Sequence, residues 1–203
     1  LWAGNDPGVY MLEAGTYTIV VSGVSGSTGG YSFEIRAVAE GESVSLETLE
    51  ATIEGSITTS GQEDTYALNA QAGQRVYLQS LDSDTTLRWS VINATGIEIA
   101  DTRADFDLGR VEFENDGVYT LVVGSPTGDT GDYSFQIWDV PADSVQSISV
   151  SNSDPDTADA IISGETTIPG EIHRFPFSVE ANQSVYFDSQ DSTSNLRWEI
   201  VDS

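Results

Sequence analysis

The sequence predicts an all-β protein made of tandem antiparallel β-sandwich or jelly-roll domains, about 100 residues to a repeat. Three observations carry that prediction. Apolar and aromatic residues recur at every second position in short runs, the period that lines one face of a strand. Gly, Asp, Asn and Ser separate those runs, and helix-favouring stretches are scarce. Finally, whole phrases of the sequence occur twice.

Near the start, "EAGTYTIVV" and "GSTGGYSFEIR" read as two strands. They are echoed by "NDGVYTLVV" and "GDTGDYSFQIW", which aligns Gly15, Tyr17, Tyr31 and Phe33 with Gly117, Tyr119, Tyr133 and Phe135. A second echo sets "GQRVYLQSLDSDTTLRW" against "NQSVYFDSQDSTSNLRW" and aligns Trp89 with Trp198. The same spacing pairs Gly55 with Gly164, Gly61 with Gly170 and Tyr66 with Phe175. Residues 1–43 are therefore expected to be the C-terminal half of a first repeat, 44–143 a complete repeat, and 144–203 the N-terminal half of a third. The partial repeats are complementary, so copies meeting end to end are expected to complete a sandwich between them.

Within the complete repeat, "DTYAL" places Tyr66 and Leu68 on one face, and "TLRWSVI" does the same for Leu87, Trp89 and Val91. "VYTLVV" aligns Tyr119, Leu121 and Val123, and "YSFQI" aligns Tyr133, Phe135 and Ile137. "SPTGDTGDY" is expected to be the hairpin joining those last two strands, its glycines supplying positive φ.

Hydrophobic residues make up 38% of the chain, with 4 Trp, 8 Tyr and 7 Phe, enough to bury a core. The formal net charge of −26 excludes nucleic acid and anionic membrane surfaces as partners. The acids are scattered, as on a solvated face that keeps a long polymer soluble. Ligation of a hard cation and a salt-rich habitat are the competing explanations. Cysteine is absent, which excludes disulfides, zinc–thiolate sites and cysteine nucleophiles. No apolar run approaches the ~20 residues of a spanning helix, so membrane insertion is not expected. There is no G-x-S-x-G, and the single histidine, His173, aligns with Asp64. No catalytic residue is expected, and the chain is not expected to be an enzyme.

The segments "GQEDTYALNAQAGQRVYL", "LRWSVINATG" and "DGVYTLVVGSPTGDTGDYSFQI" resemble the bacterial pre-peptidase C-terminal (PPC-like) domain. That family typically runs G-x-D-x-Y-x-F, then A-G-Q-x-V, an aliphatic strand ending in a D/N-x-x-G turn, and G-x-Y-x-L-x-V followed by G-x-Y-x-F. The likeness extends over the complete repeat and both halves. It implies bacterial β-sandwiches, extracellular or at the cell surface, either appended to secreted proteases or strung along large surface proteins. It also implies relatives that bind Ca2+ or polymeric ligands such as collagen. The sequence departs from the family where an Asp-rich D-x-D-L often leads into the middle strand; here "TTLRW" and "SNLRW" stand instead.

The connector from Phe135 to Gly164 is longer than that from Phe33 to Gly55, and the extra residues fall around "SNSDPDTADA". Asn152, Asp154, Asp156 and Asp159 are the candidate metal ligands, because closely spaced oxygens on a loop suit Ca2+, which takes about six to eight of them. The resemblance points the same way, since Ca2+-binding relatives hold their ligands in this kind of linker. The alternative is a solvated, Pro-containing acidic spacer. Asp101, Asp105 and Asp107 form a second candidate cation group. Asp82 and Asp191, just before the Trp strands, are expected to bond their own backbone in a turn. Trp89 and Trp198 are expected in the core, with Arg88 and Arg197 on the opposite face pairing with carboxylates. Trp2 and Trp138, read as lying at strand ends, are the candidates for stacking on a sugar. Asn93 and Asn182 match the N-glycosylation acceptor pattern.

The expected function is a structural or adhesive repeat segment of a large extracellular protein, assembling end to end into a fibre, with neighbouring copies or repeats as partners. The alternative is an accessory module of a secreted enzyme that binds a polysaccharide or matrix polymer.

Overall fold

Strands form where the period-two alternation is strictest. The computed structural model describes residues 12–23, 25, 27–38, 41–83, 85–150, 160–190 and 195–202. In chain order the strands are β1 (Ser43–Leu46), β2 (Thr52–Ile57), β3 (Glu63–Ala70), β4 (Arg75–Ser80), β5 (Arg88–Ile92), β6 (Glu98–Arg103), β7 (Gly109–Glu112), β8 (Gly117–Gly124), β9 (Gly131–Val140), β10 (Ser144–Val145) and β11 (His173–Arg174). Tyr66 and Leu68 of β3, Trp89 and Val91 of β5, Tyr119, Leu121 and Val123 of β8, and Tyr133, Phe135 and Ile137 of β9 are all buried. The predicted faces are the observed ones.

β1 to β9 make two sheets, ordered β1-β3-β8-β5-β6 and β2-β9-β4-β7. β1 runs parallel to β3, with Val44 opposite Tyr66. The other pairs are antiparallel, with Tyr66 opposite Leu121, Trp89 opposite Val123, Gly55 opposite Tyr133 and Leu78 opposite Ile137. This is an all-β sandwich whose core draws on the inner faces of both sheets. Phe135 meets Tyr66 edge-on at 5.2 Å between ring centroids and Trp89 at 5.6 Å, arrangements that suit aromatic quadrupoles. Among the described residues the Trp89 indole nitrogen is buried without a hydrogen-bond partner, so packing alone holds that ring.

The loop after β8 corrects an expectation. β8 is paired on one edge with β3 and on the other with β5, while β9 lies between β2 and β4 in the opposite sheet. With both edges of each strand occupied, β8 and β9 have none left to pair with each other. Residues 125–130 therefore arch across the core instead of closing a hairpin. Gly128 does take positive φ there, at 81°.

The chain divides into two units, Leu1–Ser144 with Glu165–Ile172, and Val145–Gly164 with His173–Ser203. In the first, residues 12–38 contain no strand among those described, and Tyr17, Tyr31, Phe33 and Ile35 are exposed. In the second, Gln146 N–H donates to Arg174 O and Ile148 N–H to Pro176 O, each at 2.9 Å. Phe187 lies 5.7 Å from Phe177 and 5.9 Å from Trp198, yet Phe187 and Trp198 remain exposed. Among the described residues no helix is long and apolar enough to cross a membrane.

Candidate functional site

The most enclosed polar group of the sandwich is the Asp64 carboxylate. In β3, Asp64 shares the inward face with Tyr66 and Leu68, so the alternation that buries the aromatics also buries the acid. Its oxygens accept from Tyr133 Oη at 2.6 Å, Gln62 Nε2 at 3.0 Å and the Glu42 backbone N–H at 2.8 Å. The Tyr66 and Tyr133 hydroxyls stand 2.6 Å apart. Burial pushes both phenols above their ordinary range, and for Tyr133 the bond to Asp64 adds to that rise. Gly55 makes room for this arrangement, since a Cβ there would overlap the Tyr133 hydroxyl. The cluster joins the residue before β1 to β3 and β9, and hence both sheets. It presents no nucleophile to solvent. Its chemistry is that of a lock: a buried carboxyl group whose oxygens are met by three donors.

The second group of acids is equally committed. Asp101 pairs with Arg88, as expected of that arginine on the outer face, and Asp105 pairs with Arg103. The Arg103 guanidinium draws the Asp105 carboxyl below the usual carboxylate range. Asp107 accepts from Tyr77 Oη at 2.7 Å and the Ser80 N–H at 2.9 Å. Burial first, and that bond second, push the Tyr77 phenol up to about 12. Asp101, Asp105 and Asp107 are thus each tied to a different donor, and no group of three His, Cys, Asp or Glu capable of holding a metal occurs among the described residues.

Asp82 departs from the expected turn. Its carboxylate takes both donors of Ser134, the backbone N–H at 2.5 Å and the hydroxyl at 3.2 Å, because the end of β4 lies beside β9. The local turn bond is made by Ser80, whose hydroxyl accepts from Asp82 N–H at 3.1 Å. Trp138 lies within β9, which runs on to Val140, and donates its indole N–H to Gln79 Oε1 at 2.8 Å. Asn93 Oδ1 accepts from the Thr95 and Ile97 N–H groups at 3.0 and 2.9 Å, closing the β5–β6 turn. The candidate Ca2+ ligands Asn152, Asp154, Asp156 and Asp159 lie outside the described residues, as do Trp2 and Asp191.

Two features escaped the sequence reading. The Asp64 cluster was signalled by an acid in phase with buried aromatics in "EDTYAL". An open groove on the outer face of the first sheet, lined by Glu63, Arg88, Ser90, Glu98, Asp101 and Ser125, had no signal in the chain order of its residues.

No family model matches the chain, and no curated protein does. Among solved structures it is similar to PliG of Aeromonas hydrophila, a periplasmic lysozyme inhibitor of g-type lysozyme, at 17% identity and TM-score 0.43 over 49% of this chain and 98% of that one. It is also similar to PliG of Salmonella Typhimurium, at 22% identity and TM-score 0.39 over 48% and 98%. The pre-peptidase C-terminal domain of a collagenase from Bacillus anthracis is another neighbour, at 18% identity and TM-score 0.38 over 51% and 99%.

Proposed function

We propose that the chain is a structural or adhesive repeat segment of a large bacterial extracellular or cell-surface protein of the PPC-like kind. Its partners in this proposal are neighbouring copies or repeats of the same protein. One observation carries the proposal. The segments on either side of the sandwich repeat the sequence of its buried strands, yet their core-type residues, among them Tyr31, Phe33, Phe187 and Trp198, lie exposed. Apolar surface on that scale marks an interaction face. The sandwich itself supplies the template for what covers it: residues 12–38 match β8 and β9, and residues 160–202 match the strands from β2 to β5. The scattered acidic charge then limits lateral association and favours specific end-to-end contacts.

Sedimentation velocity of the whole chain beside residues 44–143 tests this. The whole chain is expected to associate as concentration rises, and 44–143 to stay monomeric; a whole chain that stays monomeric at every concentration overturns the proposal. In the connector, Asn152, Asp154, Asp156 and Asp159 are the Ca2+ ligands proposed from sequence, and a melting midpoint unchanged by a chelator would count against them. The alternative, an accessory module binding a polysaccharide or matrix polymer, is favoured by the groove around Arg88, whose mixed charges and Ser90 and Ser125 hydroxyls suit a polyhydroxylated chain.

A further inference from the structure

Residues 165–172 follow the sandwich in sequence by more than a linker's length, yet they belong to its unit, whereas the residues on either side of them do not. The segment is a tight turn. Glu171 N–H donates to Ile168 O at 3.1 Å, the Glu171 carboxylate accepts from Thr167 N–H at 2.9 Å and Ile168 N–H at 3.4 Å, and Gly170 takes φ of 82°.

The same turn occurs inside the folded repeat, at the sequence positions that match. Gln62 N–H donates to Thr59 O at 3.1 Å, the Gln62 side-chain oxygen accepts from Thr58 N–H at 2.9 Å and Thr59 N–H at 3.3 Å, and Gly61 takes φ of 84°. The 167–171 turn is thus a preformed unit whose shape is fixed by its own hydrogen bonds.

The sandwich meets it with two neighbouring residues. Tyr77 of β4 and Arg110 of β7 are opposite one another in register, so ring and guanidinium stand together on the outer face of the second sheet. Arg110 Nη1 donates to the Gly170 carbonyl at 3.2 Å, and Nη2 pairs with Asp143. With side chains 19% and 16% exposed, this ion pair is shielded from water and holds the guanidinium in place. The Tyr77 ring lies flush on Gly170: a Cβ there would stand 2.7 Å from Cδ2 and 3.2 Å from Cβ of the tyrosine. The bond from Tyr77 Oη to Asp107 fixes that ring from its far end. Ser144 N–H donates to Ile172 O at 3.2 Å and closes the segment.

We propose that Tyr77, Arg110 and Asp143 form a docking site on the sandwich whose ligand is a glycine turn, here residues 167–171 of the same chain. The arginine recognises a backbone carbonyl, and the tyrosine selects for the absence of a side chain. Glycine is required twice over, by the positive φ and by the ring. Capture of this turn holds residues 165–172 on the outer face of the second sheet. The docking site does not depend on the tandem-repeat proposal above.

Hydrogen exchange read by mass spectrometry on the whole chain tests it, with Gly170→Ala and Arg110→Ala as variants. Peptides covering 165–172 are expected to exchange about tenfold faster or more in both variants, while peptides from β3, β8 and β9 keep their protection. The docking site is overturned if 165–172 exchanges at the wild-type rate in Arg110→Ala, or is already unprotected in the wild type. Gly170 lies outside the sandwich, so its variant remains informative even if the loss of Arg110 disturbs β7. Neither outcome depends on whether copies associate, which sedimentation reports separately.

Discussion

Strand β9 and residues 31–35 spell nearly the same word, Tyr-Ser-Phe-Gln-Ile and Tyr-Ser-Phe-Glu-Ile, and have opposite fates. In β9 the Tyr133, Phe135 and Ile137 side chains are 3%, 1% and 2% exposed; Tyr31, Phe33 and Ile35 are 65%, 57% and 72% exposed. Trp89 and Trp198 differ in the same way, at 1% and 62%. Local sequence cannot be the cause, because it is shared. What β9 has is β2 on one edge, β4 on the other and a second sheet over its face. Alternation makes a segment able to be a strand; partners distant in sequence make it one. The glycine turns show the converse. Those at 58–62 and 167–171 agree bond for bond because their hydrogen bonds are internal and need no partner strand.

The largest expected break in this comparison is at the tryptophans. Trp89→Ala is expected to destabilise the sandwich by about 3–5 kcal/mol, the usual cost of emptying a buried aromatic site. Trp198→Ala, at the matching position, is expected to change it by no more than about 0.5 kcal/mol, as an exposed residue does. Urea denaturation of the whole chain, followed through the β-sheet signal, measures both. Similar losses from the two would show that Trp198 is buried in solution.

A smaller effect is expected at the buried lock. Asp64→Ala removes an acceptor from the Tyr133 hydroxyl, the Gln62 amide and the Glu42 N–H, at a cost of about 1–3 kcal/mol. His173→Ala, at the matching downstream position, is expected to leave the melting of the sandwich unchanged, and an equal shift in the two would erase the contrast between the regions.

Much of this was legible in the sequence, and the boundary of legibility is physical. The buried faces of β3, β5, β8 and β9 follow from the period-two pattern, because that pattern states which side of a strand faces the core. It does not state which strand lies alongside, so the β8–β9 connection reads in sequence as a hairpin where the chain arches between sheets. Asp82 follows the same rule. Its partner, Ser134, is brought near only by the pairing of β4 with β9, which no local motif encodes. Asp101, Asp105 and Asp107 sit close in sequence but are held by Arg88, Arg103 and the Tyr77–Ser80 pair, so proximity in the chain did not become a shared site. The docking of Gly170 on Tyr77 and Arg110 was invisible for the same reason, though the glycine itself stood out by matching Gly61.

The most direct test of whether partner strands decide the fate of these segments is hydrogen exchange of the whole chain at rising concentration, comparing peptides 31–36 and 133–138. Peptide 133–138 is expected to be strongly protected throughout, while 31–36 is unprotected in dilute solution and gains protection as copies supply strands to pair with it. Protection of 31–36 equal to that of 133–138 in dilute monomer, or none at any concentration, would contradict it.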